Sequence, residues 1–285
     1  MQSCGTPQVK LAKGGKKLAD TADEAKTAVK CVNSFTGDTH VLMADGTTKR
    51  IDEIEVGDEV ANNEPGGEDL EAHEVVAVHI ADADKDYVDL TIATPDGPKT
   101  VRATAHHPFY NAGEGIWEDA ADLTTDEQLA TPGNGRARVT GARHYAANLR
   151  TYNLTVDTTH TYYVLAGETL VLVHNSGGAC KEVVLDSLGS FEQARNKALD
   201  LLGEIDPATR QPYIGRLESA PTTYGKVVGF TTRVNGEFKR FRMDYDPVKG
   251  PHINVEVGKG DSARKWAVPC NGTEDDFARM LGGNS

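Results

Sequence analysis

Cysteine is scarce in this chain, and the little there is lies scattered. Cys4, Cys31, Cys180 and Cys270 form no CxxC and no Cys/His pairing of the metal-ligand kind. That excludes a structural zinc, and no metal or cofactor is implied. At 285 residues the chain does not need disulfides to fold. Long apolar runs are missing too. None approaches the roughly 18 residues of a membrane span. The N-terminus lacks the apolar stretch of a secretory signal, so export would need another device or a longer parent chain. A net charge of -13 argues against the whole chain being a nucleic-acid binder. The composition is that of a globular protein, neither disordered nor fibrous.

The charge is unevenly spread. Residues 1–30 carry a net +3, residues 31–175 a net -16, and residues 176–285 a net of zero. These jumps predict three pieces: an N-terminal linker over 1–30, a first domain over 31–175, and a second over 176–285. Within the linker, Leu18–Val29 has the makings of a short helix.

Residues 31–175 read as β. Short runs rich in Val, Thr, Ile and Tyr occur at 40–43, 73–80, 87–93, 100–103, 152–156, 161–165 and 170–174. Turn signals at Asp45-Gly46, Asp96-Gly97 and Ala166-Gly167 separate them. Residues 64–71 and 131–141 read as exposed loops. The pattern changes after Ser176. Ser190 precedes a helical face of Phe191, Ala194, Ala198, Leu201 and Leu202, with Gly203 as its stop. Residues 226–234 and 237–245 flank Asn235-Gly236, a type I′ hairpin signal. Residues 252–257 read as a strand, and Thr273 caps a short final helix that Gly282 ends. The expected fold is a mainly β domain followed by a small α+β domain.

Chemistry concentrates at the two ends of the β region. Cys31 is a nucleophile placed to attack the carbonyl of Lys30 and convert that peptide bond to a thioester. The amide must be polarised and its nitrogen protonated as it leaves. Thr104 and His107, in Thr104-Ala105-His106-His107, supply a hydroxyl and an imidazole for this. At the other end an apolar strand closes on His174-Asn175-Ser176. The Asn175 side-chain nitrogen is able to attack its own backbone carbonyl, giving a succinimide and a cut, while His174 donates a proton to the leaving group.

Four blocks in this order resemble the Hint superfamily, which includes inteins, hedgehog autoprocessing domains and bacterial intein-like domains. CVNSFTGDTHVLMADGTTKRIDEIEVGDEV is similar to the N-terminal block, with Cys31 as nucleophile. ATAHHPFY is similar to the TxxH block, aligning Thr104 and His107. TYNLTVDTTHTYYV is similar to the block before the C-terminal cut and places His160, and VLVHNS is similar to the terminal block, with His174, Asn175 and Ser176. The resemblance covers about half the chain. It implies a horseshoe-like all-β fold and self-cleavage, with the chain as its own substrate. Asn153 stands where many inteins carry an aspartate, which weakens the coordination of the two cuts, because an amide cannot act as acid or base. No room exists for an inserted endonuclease. Ser176 leaves open true splicing, joining Lys30 to Ser176, but the short segment before Cys31 favours cleavage. Hedgehog-type transfer to a sterol has no need of a terminal His-Asn.

A Hint domain followed by a compact tail resembles the end of bacterial polymorphic toxins. That implies an effector secreted or delivered to neighbouring cells as part of a larger toxin, and a cognate immunity protein. In the tail, Lys239, Arg240, Arg242 and Lys249 line a strand able to track phosphates. His252 with Glu256 or Asp244 could serve as acid and base in metal-free RNA cleavage, and Arg264 and Lys265 could stabilise the charged intermediate. The tail lacks the Cys/His signature of a zinc deaminase. The same run of alternating charge also fits a non-catalytic binding module, since any half-exposed strand alternates this way.

Overall fold

The computed structural model describes residues 33–82, 86–175, 182–218, 220–259 and 263–282. Cys31, Ser176 and the expected helix at Leu18–Val29 lie outside these residues. The fold is mainly β, with a small α+β region towards the C-terminus.

The first part is built from β1 (Phe35–Thr36), β2 (His40–Leu42), β3 (Thr48–Arg50), β4 (Glu59–Asn62), β5 (Glu71–Ala81), β6 (Asp86–Ile92) and β7 (Lys99–Thr104). It continues through β8 (Pro108–Asn111), β9 (Ile116–Asp119), β10 (Gln128–Thr131), β11 (Gly135–Ala146), β12 (Thr151–Val156), β13 (Thr161–Ala166) and β14 (Thr169–His174). The strands pair in the order β3-β2-β13-β14-β8-β10-β11-β6-β7-β1-β12-β5-β4, with β9 added against β8.

Two long strands carry this path round its corners. The first half of β11 pairs with β10 and its second half with β6, and the register slips between Val139 and Gly141. A bulge there lets one strand serve two sheet segments. Likewise β5 pairs first with β4 and then with β12. The expected loop at 131–141 is therefore corrected: from Gly135 onward it is strand. Only Pro132, Gly133 (φ 66°) and Asn134 (φ 58°) make the turn. Pro132, Gly133 and Asn134 read as a loop, while Ala137 and Val139, alternating into the core, carry the strand signal.

The topology brings distant segments together. The opening strand β1 lies between β7 and β12, with Phe35 opposite both Ala103 and Tyr152. The closing strand β14 lies against β8, with Val173 opposite Phe109. Phe35, Phe109, Leu154, Tyr162 and Val173 are fully buried in one core.

The second part comprises β15 (Glu182–Val184), α1 (Phe191–Leu202), β16 (Gln211–Ile214), β17 (Val227–Val234), β18 (Glu237–Asp246), β19 (Gly250–Val257), β20 (Arg264–Pro269) and α2 (Glu274–Gly282). Its sheet runs β15-β20-β19-β18-β17-β16. The caps form as expected. The Ser190 hydroxyl accepts from the Gln193 N–H at 3.3 Å, and Gly203 at φ 69° ends the helix. Asn235 (φ 52°) and Gly236 (φ 84°) turn the hairpin between β17 and β18.

Alternation gives this sheet two unlike faces. Phe230, Phe241, Ile253, Val255 and Val268 pack with Ala194, Ala198 and Leu202 of α1. On the opposite face, Arg240 pairs in register with Glu256, which pairs with Lys265; Arg242 pairs with Asn254, and Asp244 with His252.

Candidate active site

The Thr104–His107 turn is locked to the opening segment by reciprocal hydrogen bonds. The Thr104 N–H donates to the Ser34 carbonyl at 2.9 Å, and the Ser34 N–H donates to the Thr104 hydroxyl, also at 2.9 Å. The His107 N–H closes the turn on the Thr104 carbonyl.

His107 is fully buried, its ring 4.0 Å from that of Phe35 and 5.8 Å from that of Phe109. Burial first, and then the neighbouring His174, push its pKa down to about 3; Asp119 opposes them. The imidazole is therefore neutral at ordinary pH. Among the described residues neither of its ring nitrogens has a hydrogen-bond partner.

The C-terminal end is built differently. His160 sits exposed in a positive-φ turn (54°) after β12. Its carbonyl accepts the Asn175 N–H at 2.6 Å. Asn175 is 1% exposed, and among the described residues neither atom of its side-chain amide is hydrogen-bonded. The backbone is held, while the side-chain amide is uncommitted among the described residues. The His174 ring lies 5.0 Å from Trp117 and 6.3 Å from His160. Thr104, His107, His160, His174 and Asn175 thus converge on one end of the first sheet.

Asn153 faces the same core. Its side-chain oxygen accepts from the Tyr162 hydroxyl and from the Leu154 N–H, both at 2.9 Å. Tyr162 is one partner that sequence reasoning missed. Nothing in the one-dimensional pattern separates it from Tyr163, which instead bonds Asn63.

In the second part, Arg240, Glu256 and Lys265 come together: Arg240 meets Glu256 at 2.6 Å, and Lys265 lies 3.7 Å from the same carboxylate. Arg242 bonds Asp244 at 3.0 Å. His252 is 2% exposed and its Nδ1 lies 2.8 Å from the Gly250 carbonyl; burial, then Lys249, holds its pKa below the ordinary value. Lys249, in the turn between β18 and β19, pairs with Glu182 and Asp246. Two of the expected substrate-binding residues lie on the other face. Lys239 donates to the Glu204 carbonyl at 3.1 Å just beyond α1. Arg264 is 62% exposed, over the ring of Trp266. Strand alternation sends neighbours in sequence to opposite faces, so a run of basic residues does not make one surface.

Sequence reasoning also missed an acidic segment, Glu118 to Asp122, that reaches this charged face. Asp122 meets Arg240 at 2.5 Å, Glu118 meets Lys259 at 2.8 Å, and Asp119 lies 3.9 Å from Lys265. With 25 acidic residues among 31–175, no composition signal marks these three. Burial opposes the charge on Asp122, but Arg240 and Lys259 hold its pKa well below the usual carboxylate range. Among the described residues, no group of three His, Cys, Asp or Glu is placed to hold a metal ion, and no helix is long and apolar enough to cross a membrane.

The opening strand and the closing His-Asn meet at the buried His107. Residues 40–176 match the family described as the pretoxin HINT domain, a match that begins after Cys31. Over this stretch the chain is similar to Hint/intein-like domains, a likeness consistent with autoprocessing. Among solved structures, the chain is similar to the bacterial intein-like domain from Clostridium thermocellum (28% identity, 50% of this chain and 99% of that one, TM-score 0.45). It is also similar to a DnaB intein from Synechocystis sp. PCC 6803 (22% identity, 51% and 99%, TM-score 0.43) and to the gp41-1 intein (21% identity, 50% and 99%, TM-score 0.38). No curated protein sequence matches the chain significantly.

Proposed function

We propose that residues 31–175 cut their own backbone after Asn175 and release residues 176–285 as an effector. One observation carries this reading: Asn175 is buried with its backbone N–H tied to His160 and its side-chain amide uncommitted among the described residues, directly after His174. In the step proposed, the Asn175 side-chain nitrogen bonds to its own carbonyl carbon. The bond to the Ser176 nitrogen breaks. The proton lost by the amide is made good at the leaving amine through His174. The products are a C-terminal succinimide and a free Ser176 amine.

A second step is assigned to Cys31, whose thiolate would take the Lys30 carbonyl as a thioester with Thr104 and His107 polarising the amide. Cleavage is favoured over splicing of Lys30 to Ser176, because Asn153 offers an amide, already bonded to Tyr162, where a carboxylate would couple the two steps. For the effector, the reading is a ribonuclease toxin delivered to other cells and neutralised by an immunity protein. Its support is the side-by-side placing of Arg240, Glu256 and Lys265 on one sheet face. His252, Asp244 and Glu256 are the acid–base candidates on that face.

Mass spectrometry of the purified chain tests the release. A fragment beginning at Ser176 is expected, and it is absent from Asn175→Ala. A chain that stays intact under every thiol and pH condition sinks the proposal.

A further inference from the structure

The acidic segment of the first sheet lies inside the cationic face of the second. Asp122 bonds Arg240 at 2.5 Å and its other oxygen lies 3.4 Å from the Tyr213 hydroxyl. Glu118 bonds Lys259, and Asp119 faces Lys265. The side chains of Arg240, Asp122, Glu256, Lys259 and Glu118 keep only 7–11% of their exposure. Taking ions this far from water costs several kcal/mol each, and apolar residues of similar volume would hold two units together at least as well. Buried charge at such a contact needs a reason other than adhesion.

The cationic face also contains an aromatic ring. The guanidinium groups of Arg216, Arg240 and Arg242 lie 5.6, 5.3 and 5.8 Å from the centroid of Tyr213. Cations hold phosphates, and a ring among them stacks bases; single-stranded nucleic acid uses both. An acidic protein partner would use the cations alone.

We propose that Tyr213, Arg216, Arg240, Arg242, Lys259 and Lys265 form a binding site for single-stranded nucleic acid, and that Glu118, Asp119 and Asp122 occupy it as anion surrogates until the chain is cut. This rests on the reading of residues 176–285 as a released effector. While the two parts share one chain, the acidic segment competes at a high effective concentration; the cut abolishes that advantage. The segment is firmly held on its other side. Ala120 N–H donates to the His107 carbonyl and Ala121 N–H to the Ala105 carbonyl, both at 2.9 Å. The plug is thus anchored to the turn that carries the processing histidine.

The test uses the full chain kept uncut by Asn175→Ala, with binding of short labelled RNA and DNA strands read by fluorescence anisotropy. Adding Asp119→Asn and Asp122→Asn is expected to tighten binding by about tenfold or more, because two anions leave the phosphate positions. Adding Lys265→Gln to that variant, at a side chain still 36% exposed, is expected to reverse much of the gain. Glu114→Gln loosens only the half-exposed pair with Arg233 and is expected to change nothing. Tightening on RNA, DNA or both supports the site and identifies its source. Unchanged binding in a double variant with a normal melting curve overturns it. So does equal tightening by Glu114→Gln, or equally tight binding of polyglutamate. Because binding is read without cleavage, a chain that binds RNA and never cuts it removes the nuclease reading while this site stands.

Discussion

Ser34 and Thr104 hold each other through two hydrogen bonds of 2.9 Å, although 70 residues separate them. One of the bonds ends on the very hydroxyl assigned to amide polarisation. The opening segment and the TxxH turn are therefore a single unit, and neither is positioned without the other.

Thr104→Val tests that unit. The buried Ser34 N–H would lose its acceptor, at a cost of about 1–3 kcal/mol. Thiol-induced cleavage before Cys31 is expected to fall by roughly 10²-fold with the polarising hydroxyl gone. Release at Asn175 should persist. Equal loss at both ends, measured by mass spectrometry, would show that the pair serves folding alone.

His107 makes a pH prediction. Its folded pKa is lowered to about 3 from 6.5, so between these values the unfolded chain binds the extra proton. The neutral, buried ring therefore contributes stability that is complete above pH 6.5 and declines as pH falls towards 3, by up to about 1.4 kcal/mol per pH unit. Chemical denaturation of His107→Gln is expected to show a flatter slope over that window. An unchanged slope would mean that the ring is protonated in the fold.

Asn153→Asp restores an ionisable group without disturbing shape. The new carboxyl can accept from the Tyr162 hydroxyl and the Leu154 N–H as the amide does. Unlike the amide, a carboxyl at this buried position, 5% exposed, can take up and release a proton, with burial raising its pKa and the two donated hydrogen bonds opposing that rise. The expected result is more cleavage before Cys31 relative to cleavage after Asn175, quantified from the fragment ratio. An unaltered ratio would separate Asn153 from the coordination of the two cuts.

Gly229 has a role set by packing. It stands opposite Arg242 in the β17–β18 ladder, and a Cβ there would lie 1.9 Å from the Phe241 carbonyl oxygen. Gly229→Ala must push two central strands apart, at an expected cost of about 3 kcal/mol or more. A scanning-calorimetry trace should show the loss. A melting temperature equal to the parent's would refute the close approach.

Much of the candidate site was legible because its signals are local. The cyclisation proposed at Asn175 needs one side chain and its own carbonyl, so adjacency in sequence is adjacency in space. The caps at Ser190 and Gly203 and the Asn235-Gly236 turn were legible for the same reason: each motif closes within a few residues. Strand β11 was not, because Pro132, Gly133 and Asn134 announce a turn more loudly than Ala137 and Val139 announce alternation.

What the sequence determined by itself was the mainly β character of the first part and the chemistry available at its two ends, since reactivity belongs to residue type and neighbour. Tertiary structure alone decided that His107 is neutral, because burial sets its pKa. It decided that Arg240 and Lys265 share a face from which Lys239 and Arg264 are excluded. It also decided that Asp122 meets Arg240 across 118 residues of chain. Those three outcomes follow from desolvation, sheet register and long-range packing, and no window of sequence contains them.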